Sequence, residues 1–355
     1  MSWLLLAARS TAPGTHPFIG NTLLQAVVPA VAAFTITLFA GPYFISLMQR
    51  LKLGKQVREE LPQHSGKVGT PSMGGFLFTV PVVLLTIAYN LFGTPGSENP
   101  NKTHLSLLLP LTVVVLCSTL GWVDDLMTTV RIGGEGLRAR FKFAWLVVIA
   151  IAIVVILHLP KLISPHDQNQ VYIPTIGDTN FGIAYWPLAV LAIVGFANAV
   201  NLTDGLDGLA AGSGAFAMAA FAIIALLGGK FVFVGIFSIT LFGALLAFLW
   251  FNAFPARIIM GDTGSLALGA VMATVALMLN QMLVLLVIGF IYVIEALSVM
   301  LQVGYFKATH GKRIFRSSPL HNHLELMGWH ENEVTQRFWI VGMLAGVAGL
   351  ALAFS

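Results

Sequence analysis

Long stretches without a charged side chain are the feature that most constrains the fold of this chain. Residues 10–49 contain no Asp, Glu, Lys or Arg, and several later stretches lack them too. These are residues 68–97, 103–123, 143–160, 179–203, 208–229, 231–256, 263–294 and 338–355. An apolar helix of about 20 residues crosses the roughly 30 Å of hydrocarbon in a bilayer. We therefore expect a polytopic membrane protein, whose helices satisfy their own backbone hydrogen bonds in lipid.

Dividing these stretches at polar residues, glycines and prolines predicts about ten transmembrane helices in one integral-membrane domain, residues 1–355. The predicted spans are 22–49, 74–92, 104–123, 143–159, 185–203, 209–228, 231–251, 264–280, 282–304 and 337–354. The predicted fold class is all-α. A loose alternation of apolar and polar residues over 171–186 adds a weak signal for a small β-hairpin in an external loop.

The composition argues against several other classes of protein. Only 10% of the 355 residues are charged and 57% are hydrophobic. A soluble domain has about 25% charged residues, so a soluble enzyme, a disordered protein and a nucleic-acid-binding module are all disfavoured. The single cysteine, Cys117, excludes an intrachain disulfide and a cysteine-based zinc site.

The positive charges predict an orientation in the membrane. The loops that follow the odd-numbered spans, with Arg337 at the last boundary, hold 15 of the 19 Lys and Arg residues. Positive residues favour the cytoplasmic side, so we expect these loops inside the cell and both termini outside it. Lys67 and Arg257 could bind a ligand instead. Without these two residues, the predicted internal loops still hold 13 Lys and Arg residues and the other side holds 4.

Five polar clusters fall on this predicted cytoplasmic side, and the first is the glycine-rich segment of residues 64–75. Its glycines let backbone N–H groups approach an anion closely, and Lys67 adds a positive charge. The spacing is not that of a P-loop. A flexible loop beside the membrane explains the same residues equally well.

The second cluster is the pair Asp124 and Asp125 at the end of the third predicted helix. Adjacent carboxylates repel each other unless a metal ion, a proton or another cation lies between them. The alternative is two solvated acids at a helix end, although negative charge there opposes the helix dipole.

The third cluster comprises Asn198, Asn201, Asp204 and Asp207, which follow one another at intervals of three residues. On a continuous helix they would form one stripe. Such a stripe is costly in a bilayer unless it binds something polar. A hydrogen-bonded seam between two helices is the alternative.

The fourth cluster combines Asn252 with the segment of residues 261–265, in which Asp262 lies between Gly261 and a threonine-glycine pair. A carboxylate at a helix start readily presents oxygen atoms to a hard cation. Taken alone, this segment is also typical of an ordinary turn.

The fifth cluster is the segment of residues 319–325, with His321 and His323. Imidazoles can bind metal, donate hydrogen bonds to phosphate or carry protons, and a solvated loop is the alternative. Glu295 differs from all five clusters, because it lies deep in the ninth predicted span. A buried acid of this kind serves either a structural or a functional role, and the sequence favours neither.

The gathering of five Asp residues with Lys67 and His321 on one face favours Mg²⁺-assisted phosphoryl chemistry. The metal neutralises phosphate charge, while the acids hold it or accept a proton. A site between membrane helices is open to a lipid from the side and to a soluble nucleotide from the aqueous phase.

Together the motifs resemble those of the phospho-N-acetylmuramoyl-pentapeptide transferase (translocase I) family, a branch of the polyprenyl-phosphate N-acetylhexosamine-1-phosphate transferases. The resemblance covers nearly the whole chain in order, with ten spans. It rests on residues 65–75, 124–125, 201–209, 261–265 and 319–325. The aspartate motifs alone would also fit the wider superfamily.

The resemblance implies a reaction and its partners. UDP-N-acetylmuramoyl-pentapeptide and undecaprenyl phosphate would give lipid I and UMP, the first membrane step of peptidoglycan synthesis and hence of cell-wall formation. The enzyme would lie in the bacterial cytoplasmic membrane as a homodimer, with its site on the cytoplasmic face, Mg²⁺ as cofactor and no nucleic acid as partner.

The resemblance also implies residue roles. Asp124, Asp125, Asp262 and His321 would be catalytic, with Asp262 as the Mg²⁺ ligand and Asp124 as the base that deprotonates the lipid phosphate. Substrate contacts would come from Lys67, Ser72, Asn198, Asn201, Asp204, Asp207, Asn252, Gly261, Gln302 and His323. A direct attack of the lipid oxygen and a two-step path through an aspartyl-phosphate both remain open.

The chain departs from the family pattern at Asn322, where a third consecutive histidine is common. This puts a required acid–base role for that position in doubt and leaves His321 and His323. Ser72 replaces a common threonine and keeps the hydroxyl.

Two rival functions remain at this level. A sister transferase that uses UDP-N-acetylglucosamine shares the aspartate motifs, but the segments of residues 65–75 and 319–325 favour the muramoyl-pentapeptide branch. A secondary transporter of anionic solutes also has many spans. Its site would lie at the membrane midplane and its halves would repeat, and neither feature is visible here.

Overall fold

The structure, a computed structural model, describes residues 17–54, 69–92, 107–130, 136–159, 169–228 and 231–355. Within these ranges the chain is almost entirely helical. The helices are α1 (Pro17–Arg50), α2 (Gly75–Phe92), α3 (Leu108–Val130), α4 (Ala139–Leu157), α5 (Tyr185–Thr203), α6 (Leu209–Gly228), α7 (Val232–Asn252), α8 (Gly261–Met278), α9 (Met282–Ile288), α10 (Phe290–Ala308), α11 (Leu320–Leu326) and α12 (Glu331–Ala353).

Nine helices of the described ranges are long and apolar enough to cross a membrane, and α2 adds a shorter apolar helix. Together they match the ten predicted spans, and the all-α polytopic fold is confirmed. Large apolar side chains are exposed on many of these helices, for example Phe39, Leu191 and Leu344. In water these faces would be unfavourable, whereas lipid chains cover them without cost.

Helix α8 is the centre of the bundle, and every residue from Thr263 to Met278 is buried. Small residues allow its neighbours to approach closely. A side chain at Gly121 of α3 would collide with the backbone of Asp262, and one at Gly269 would collide with the backbone of Phe196 on α5. This close backbone packing fixes where α8 begins relative to α3 and α5.

Several helix boundaries differ from the predicted spans in ways that matter for the site. Helix α3 continues to Val130, so the adjacent acids lie inside its last turns and not at its end. Helix α4 begins at Ala139 and α8 at Gly261, both a few residues early. A helix can continue past charged residues near the membrane surface. Spans that were divided at the first charged residue are therefore too short at that end.

The ninth predicted span, residues 282–304, is divided at Gly289 into α9 and α10. Gly289 has a non-helical backbone, with φ of −89° and ψ of 23°. A side chain there would collide with the ring of Phe196. The hydrophobic pattern does not report this break because both halves are apolar.

The predicted hairpin is confirmed as strands β1 (Gln170–Ile173) and β2 (Gly177–Asn180), which pair antiparallel. The side chain of Asn280, between α8 and α9, accepts a hydrogen bond from the Tyr172 backbone and donates one to Asp178. The Tyr172 hydroxyl donates to the carbonyl of Ser355, 2.7 Å away. The hairpin and the C-terminus therefore lie together at the end of the bundle opposite the start of α8.

Candidate active site

Asp262 lies in the first turn of α8 and is the centre of a cluster of charged and polar side chains. Its Oδ1 accepts a hydrogen bond of 2.7 Å from the Asn201 side chain on α5. Its Oδ2 pairs with the ammonium of Lys142 on α4, which also contacts Asp124 Oδ2 at 3.3 Å. Four helices, α3, α4, α5 and α8, thus supply one connected group, which we call the aspartate cluster (Asp124, Lys142, Asn201 and Asp262).

Lys142 is the member of this cluster that the sequence analysis missed. The fourth span was predicted to begin directly after it, and the residue was counted only as one of the positive charges of an internal loop. Its position immediately before an apolar span, after Arg138 and Arg140, was the available signal. In the structure its ammonium lies between two carboxylates and balances part of their charge.

Asp124 and Asp125 have different environments although they are adjacent in sequence. Both oxygens of Asp125 are used by the start of α8: Oδ1 accepts from the Asp262 backbone at 3.0 Å, and Oδ2 accepts from the backbone and hydroxyl of Thr263 at 3.0 and 2.6 Å. A carboxylate bonded to the first N–H groups of a helix caps it and favours its dipole. The geometry therefore gives Asp125 a part in fixing the backbone of Asp262.

Asp124 instead faces the aspartate cluster. One oxygen accepts from the Leu137 backbone at 2.6 Å and the other contacts Lys142. The side chains of Asp124 and Asp262 keep 14% and 22% of their surface exposed. Part of each side chain is therefore open to a ligand, whereas Asp125 is buried.

Asp204 and the close packing around Gly261 also hold the start of α8 in place. Asp204 accepts a hydrogen bond of 3.1 Å from the Gly261 backbone. Gly261 has φ of +71°, a region that favours glycine, and a side chain there would approach Asp125 Oδ2 to 2.6 Å and the buried Ser72 hydroxyl to 3.0 Å. The predicted residues Ser72, Asp204 and Gly261 are therefore neighbours around the first turn that carries Asp262.

The predicted stripe of four residues on one helix is wrong for Asp204 and Asp207. Helix α5 ends at Thr203, and Asp204 has a non-helical backbone, with φ of −75° and ψ of 47°. Gly208, with φ of +76°, ends the turn of residues 204–208. The spacing of three residues suggested a helix, but the glycines and the bonds of both aspartates to distant backbone favour a turn.

The turn of residues 204–208 is held by side chains far away in sequence. Asp207 accepts a hydrogen bond of 2.9 Å from the Ala256 backbone, and Asn252 accepts one of 3.2 Å from Gly208. Asn252 also donates to the Ile258 carbonyl at 2.9 Å. The Asp207 backbone donates to Glu331 on α12 at 2.7 Å, a partner that no local pattern predicted.

One predicted residue, Asn198, is not joined to this group by a hydrogen bond. The amide of Asn198 donates to the Val194 carbonyl of its own helix at 2.8 Å. Lys67 lies outside the described residues, as does most of the glycine-rich segment before Gly69.

Gln302 and His323 shape a neighbouring loop. Gln302 accepts hydrogen bonds from the backbone of Ile314 and Phe315, at 3.1 and 2.9 Å, and donates back to the Phe315 carbonyl at 3.2 Å. His323 Nδ1 accepts from the Arg316 backbone at 3.1 Å. Both side chains bind backbone, in contrast to the side-chain pairs of the aspartate cluster.

His321 is buried on the short helix α11, and its ring lies against the turn of residues 204–208. A side chain at Gly205 would collide with the Nε2 edge of the ring. On the other side, Nδ1 lies 3.1 Å from Glu295 Oε2 on α10. The structure thus brings His321 to the same turn as Asp204 and Asp207.

The donor set fits a magnesium ion shared with a ligand. No group of three or more His, Cys, Asp or Glu side chains in the described ranges is arranged to enclose a metal. Mg²⁺ bound with a nucleotide needs no such cage, since one or two carboxylates, waters and phosphate oxygens complete its shell. Asp124 and Asp262 supply two partly exposed carboxylates, and both already contact the positive charge of Lys142.

Comparison with known proteins identifies relatives of the chain. A family model described as glycosyl transferase family 4 matches residues 107–280, which include the whole aspartate cluster. The phospho-N-acetylmuramoyl-pentapeptide-transferase of Chloroflexus aurantiacus is 43% identical over 340 residues, 93% of this chain and 90% of that protein. The protein of the same name from Staphylococcus carnosus is 44% identical over 325 residues, 91% of this chain and 98% of that protein. The chain therefore belongs to the phospho-N-acetylmuramoyl-pentapeptide transferase family.

Proposed function

We propose that this enzyme transfers phospho-N-acetylmuramoyl-pentapeptide from its UDP-activated form to undecaprenyl phosphate, giving lipid I and UMP. The observation that carries the proposal is the aspartate cluster, in which two partly exposed carboxylates and a lysine from three helices meet at one end of the membrane bundle. The names of the relatives support the donor, and the lipid-exposed helices support a lipid acceptor.

The reaction exchanges one phosphoanhydride bond for another. An oxygen of the lipid phosphate attacks the sugar-side phosphorus of the nucleotide diphosphate, the bond to the UMP oxygen breaks, and UMP leaves with the electron pair. Asp124 is the proposed base, because it is partly exposed beside Asp262, whereas both oxygens of its neighbour Asp125 already bind the start of α8. A two-step path through an aspartyl-phosphate is the competing route.

Asp262 is the proposed ligand of Mg²⁺, and Asp124 contacts the same Lys142 ammonium as Asp262 does. When bound, the metal neutralises the diphosphate and makes its phosphorus more electrophilic. Lys142 adds a second positive charge for the phosphate oxygens, as lysine does at many phosphate sites. Asn201 holds the Asp262 carboxylate in one orientation through its 2.7 Å hydrogen bond.

The remaining predicted residues are proposed to build the walls of the site. Asp125 and Asp204 fix the first turn of α8, while Asp207 and Asn252 fix the turn of residues 204–208. By the family resemblance these turns form the nucleotide pocket. Contacts with substrate are likewise proposed for Lys67, Ser72, Asn198, Gly261, Gln302, His321 and His323.

We propose that the site faces the cytoplasm of a bacterial inner membrane. Every Lys and Arg of the described ranges belongs to loops and helix ends on the side of Gly261, and positive residues favour the cytoplasmic side. The hairpin and Ser355 lie at the other end. A homodimer in the bilayer is proposed from the family resemblance alone.

The test is a UMP-release assay with purified protein, polyprenyl phosphate and two donors side by side. The proposal expects release from UDP-N-acetylmuramoyl-pentapeptide that requires both the lipid and Mg²⁺. Release from UDP-N-acetylglucosamine at an equal or higher rate would instead assign the chain to a sister reaction. Counterflow of solute in proteoliposomes without UMP release would point to transport.

A further inference from the structure

Glu295 is the one acidic residue in the interior of α10, and its side chain has no exposed surface. A charged or even neutral carboxyl group at such a position needs hydrogen-bond partners, because lipid and apolar side chains provide none. The structure supplies both partners from a single residue. Oε1 accepts from the His321 backbone at 3.2 Å, and Oε2 lies 3.1 Å from His321 Nδ1.

These two contacts determine both the place and the orientation of the imidazole. One oxygen fixes the backbone at the start of α11, and the other fixes the rotation of the ring. Because a carboxylate only accepts hydrogen bonds, the proton of a neutral His321 must lie on Nδ1, which leaves Nε2 with its lone pair. A Ser298 hydroxyl one turn further along α10 binds the Glu295 carbonyl and makes no contact of this kind.

The Nε2 edge of the ring points to the turn that carries two predicted site residues. A side chain at Gly205 would collide with Nε2 and approach Cε1 to 2.8 Å, so glycine at this position gives the ring its room. Asp204, directly before it, binds the start of α8 at Gly261. Among the described residues no hydrogen bond involves Nε2, so its lone pair is left for a substrate group that reaches the turn, although His321 itself is only 1% exposed.

We propose that Glu295 is a positioning residue that holds His321 with Nδ1 protonated and presents Nε2 to the substrate beside the turn of residues 204–208. The assignment rests on the proposed function, in which His321 contacts the substrate. Glu295 itself does not touch the substrate. It acts only through the imidazole, so its effect on the reaction disappears when the imidazole is absent.

The test uses full-length protein in detergent micelles or nanodiscs and the variants Glu295→Gln, His321→Ala and their combination. A glutamine offers one acceptor and one donor group, so it cannot accept from both the backbone and Nδ1 of His321. Nitrogen NMR of histidine-labelled protein, with the His321 signals identified by their loss in His321→Ala, reports which ring nitrogen is protonated. We expect the proton to move from Nδ1 towards Nε2 in Glu295→Gln.

In the UMP-release assay, Glu295→Gln is expected to lower kcat about tenfold, because general acid–base or hydrogen-bond catalysis depends on the orientation of the group. In the His321→Ala background the same change is expected to alter kcat by less than about twofold, since residues that act as a unit are not additive. Ser298→Ala, a matched loss of a buried hydrogen bond on the same helix, should leave both the tautomer and kcat unchanged.

Two results would overturn the inference: an unchanged His321 tautomer in folded Glu295→Gln, or an equal loss of kcat with and without His321. Glu295→Asp, whose shorter side chain cannot reach both groups, gives a second test if the glutamine variant does not fold. The NMR result does not depend on the reaction. Wild-type protein that releases no UMP would therefore contradict the proposed function and leave the positioning of His321 to be judged by its tautomer.

Discussion

Predicted site residues lie in the aspartate cluster and on the two helices that flank the loop of residues 309–319, but their hydrogen bonds differ in kind. In the aspartate cluster, side chains bind other side chains: Lys142 joins Asp124 to Asp262, and Asn201 binds Asp262. Beside the loop, Gln302 on α10 and His323 on α11 bind backbone groups of the loop. Side chains that bind backbone are already occupied in holding the loop, whereas partly exposed carboxylates that share one lysine can exchange that partner for a ligand. We expect substitutions in the first region to affect the reaction and those in the second to affect mainly the loop.

The largest effect is expected for Asp262→Asn. The amide keeps the shape and one acceptor oxygen but loses the charge that a hard cation requires. Turnover should fall by about 10³-fold or more, as when a metal ligand of a phosphoryl-transfer site is removed. UMP release measures the effect, and an unchanged thermal unfolding curve shows that the fold is intact. Near wild-type turnover would exclude Asp262 as the metal ligand.

Lys142→Met should cause the next largest loss, about 10²-fold in kcat, because a preorganised positive charge near a phosphate is removed. The two carboxylates then repel each other without their shared cation, so a divalent ion should raise the melting temperature of the variant more than that of wild type. Arg140→Met, a nearby change in the same helix that lies outside the cluster, is the matched control. Equal losses in the two variants would show that only the general positive charge matters.

Asp125→Asn should lower turnover by about tenfold to a hundredfold, the range typical of residues that orient a metal ligand. The amide of asparagine retains one acceptor oxygen, whereas Asp262 and Thr263 at the start of α8 donate to both oxygens of Asp125. Thr263→Val removes only the hydroxyl that lies 2.6 Å from Asp125 and should have a smaller effect in the same direction. If Thr263→Val were the more harmful change, the capping role of Asp125 would be wrong.

The smallest effect on chemistry is expected for Gln302→Leu. Loss of its bonds to the backbone of Ile314 and Phe315 should destabilise the loop by about 1 kcal/mol, the net contribution of a hydrogen bond between partly buried groups. We expect KM to rise and kcat to change by less than about fivefold, as for a group that contributes only to binding. A loss of kcat comparable to that of Lys142→Met would remove the distinction between the two regions.

The sequence was sufficient for the features that depend on local pattern. Charge-free stretches predicted the spans, alternation predicted the hairpin, and the polar motifs predicted that Asp124, Asp204 and Asp262 belong to one end of the bundle. Family resemblance then gave the reaction class, which the relatives confirm.

What the sequence could not show depends on partners that are distant along the chain. Asp207 and Glu331 are separated by 124 positions, and Lys142 and Asp262 by 120. No periodicity reports such a contact, so Lys142 looked like one of many positive loop residues. The sequence also could not separate the roles of Asp124 and Asp125. Their roles differ because Asp125 binds the backbone of α8 and Asp124 does not.

Binding of Mn²⁺ in place of Mg²⁺, followed by electron paramagnetic resonance, tests most directly whether Asp262 holds the metal of a nucleotide diphosphate. The sample contains purified protein and UDP-N-acetylmuramoyl-pentapeptide, with Asp262→Asn and Gln302→Leu as paired variants. The account predicts one bound ion per chain in wild type and in Gln302→Leu, tighter with the nucleotide than without it, and loss of that ion in Asp262→Asn. Equal Mn²⁺ binding by wild type and Asp262→Asn would contradict it.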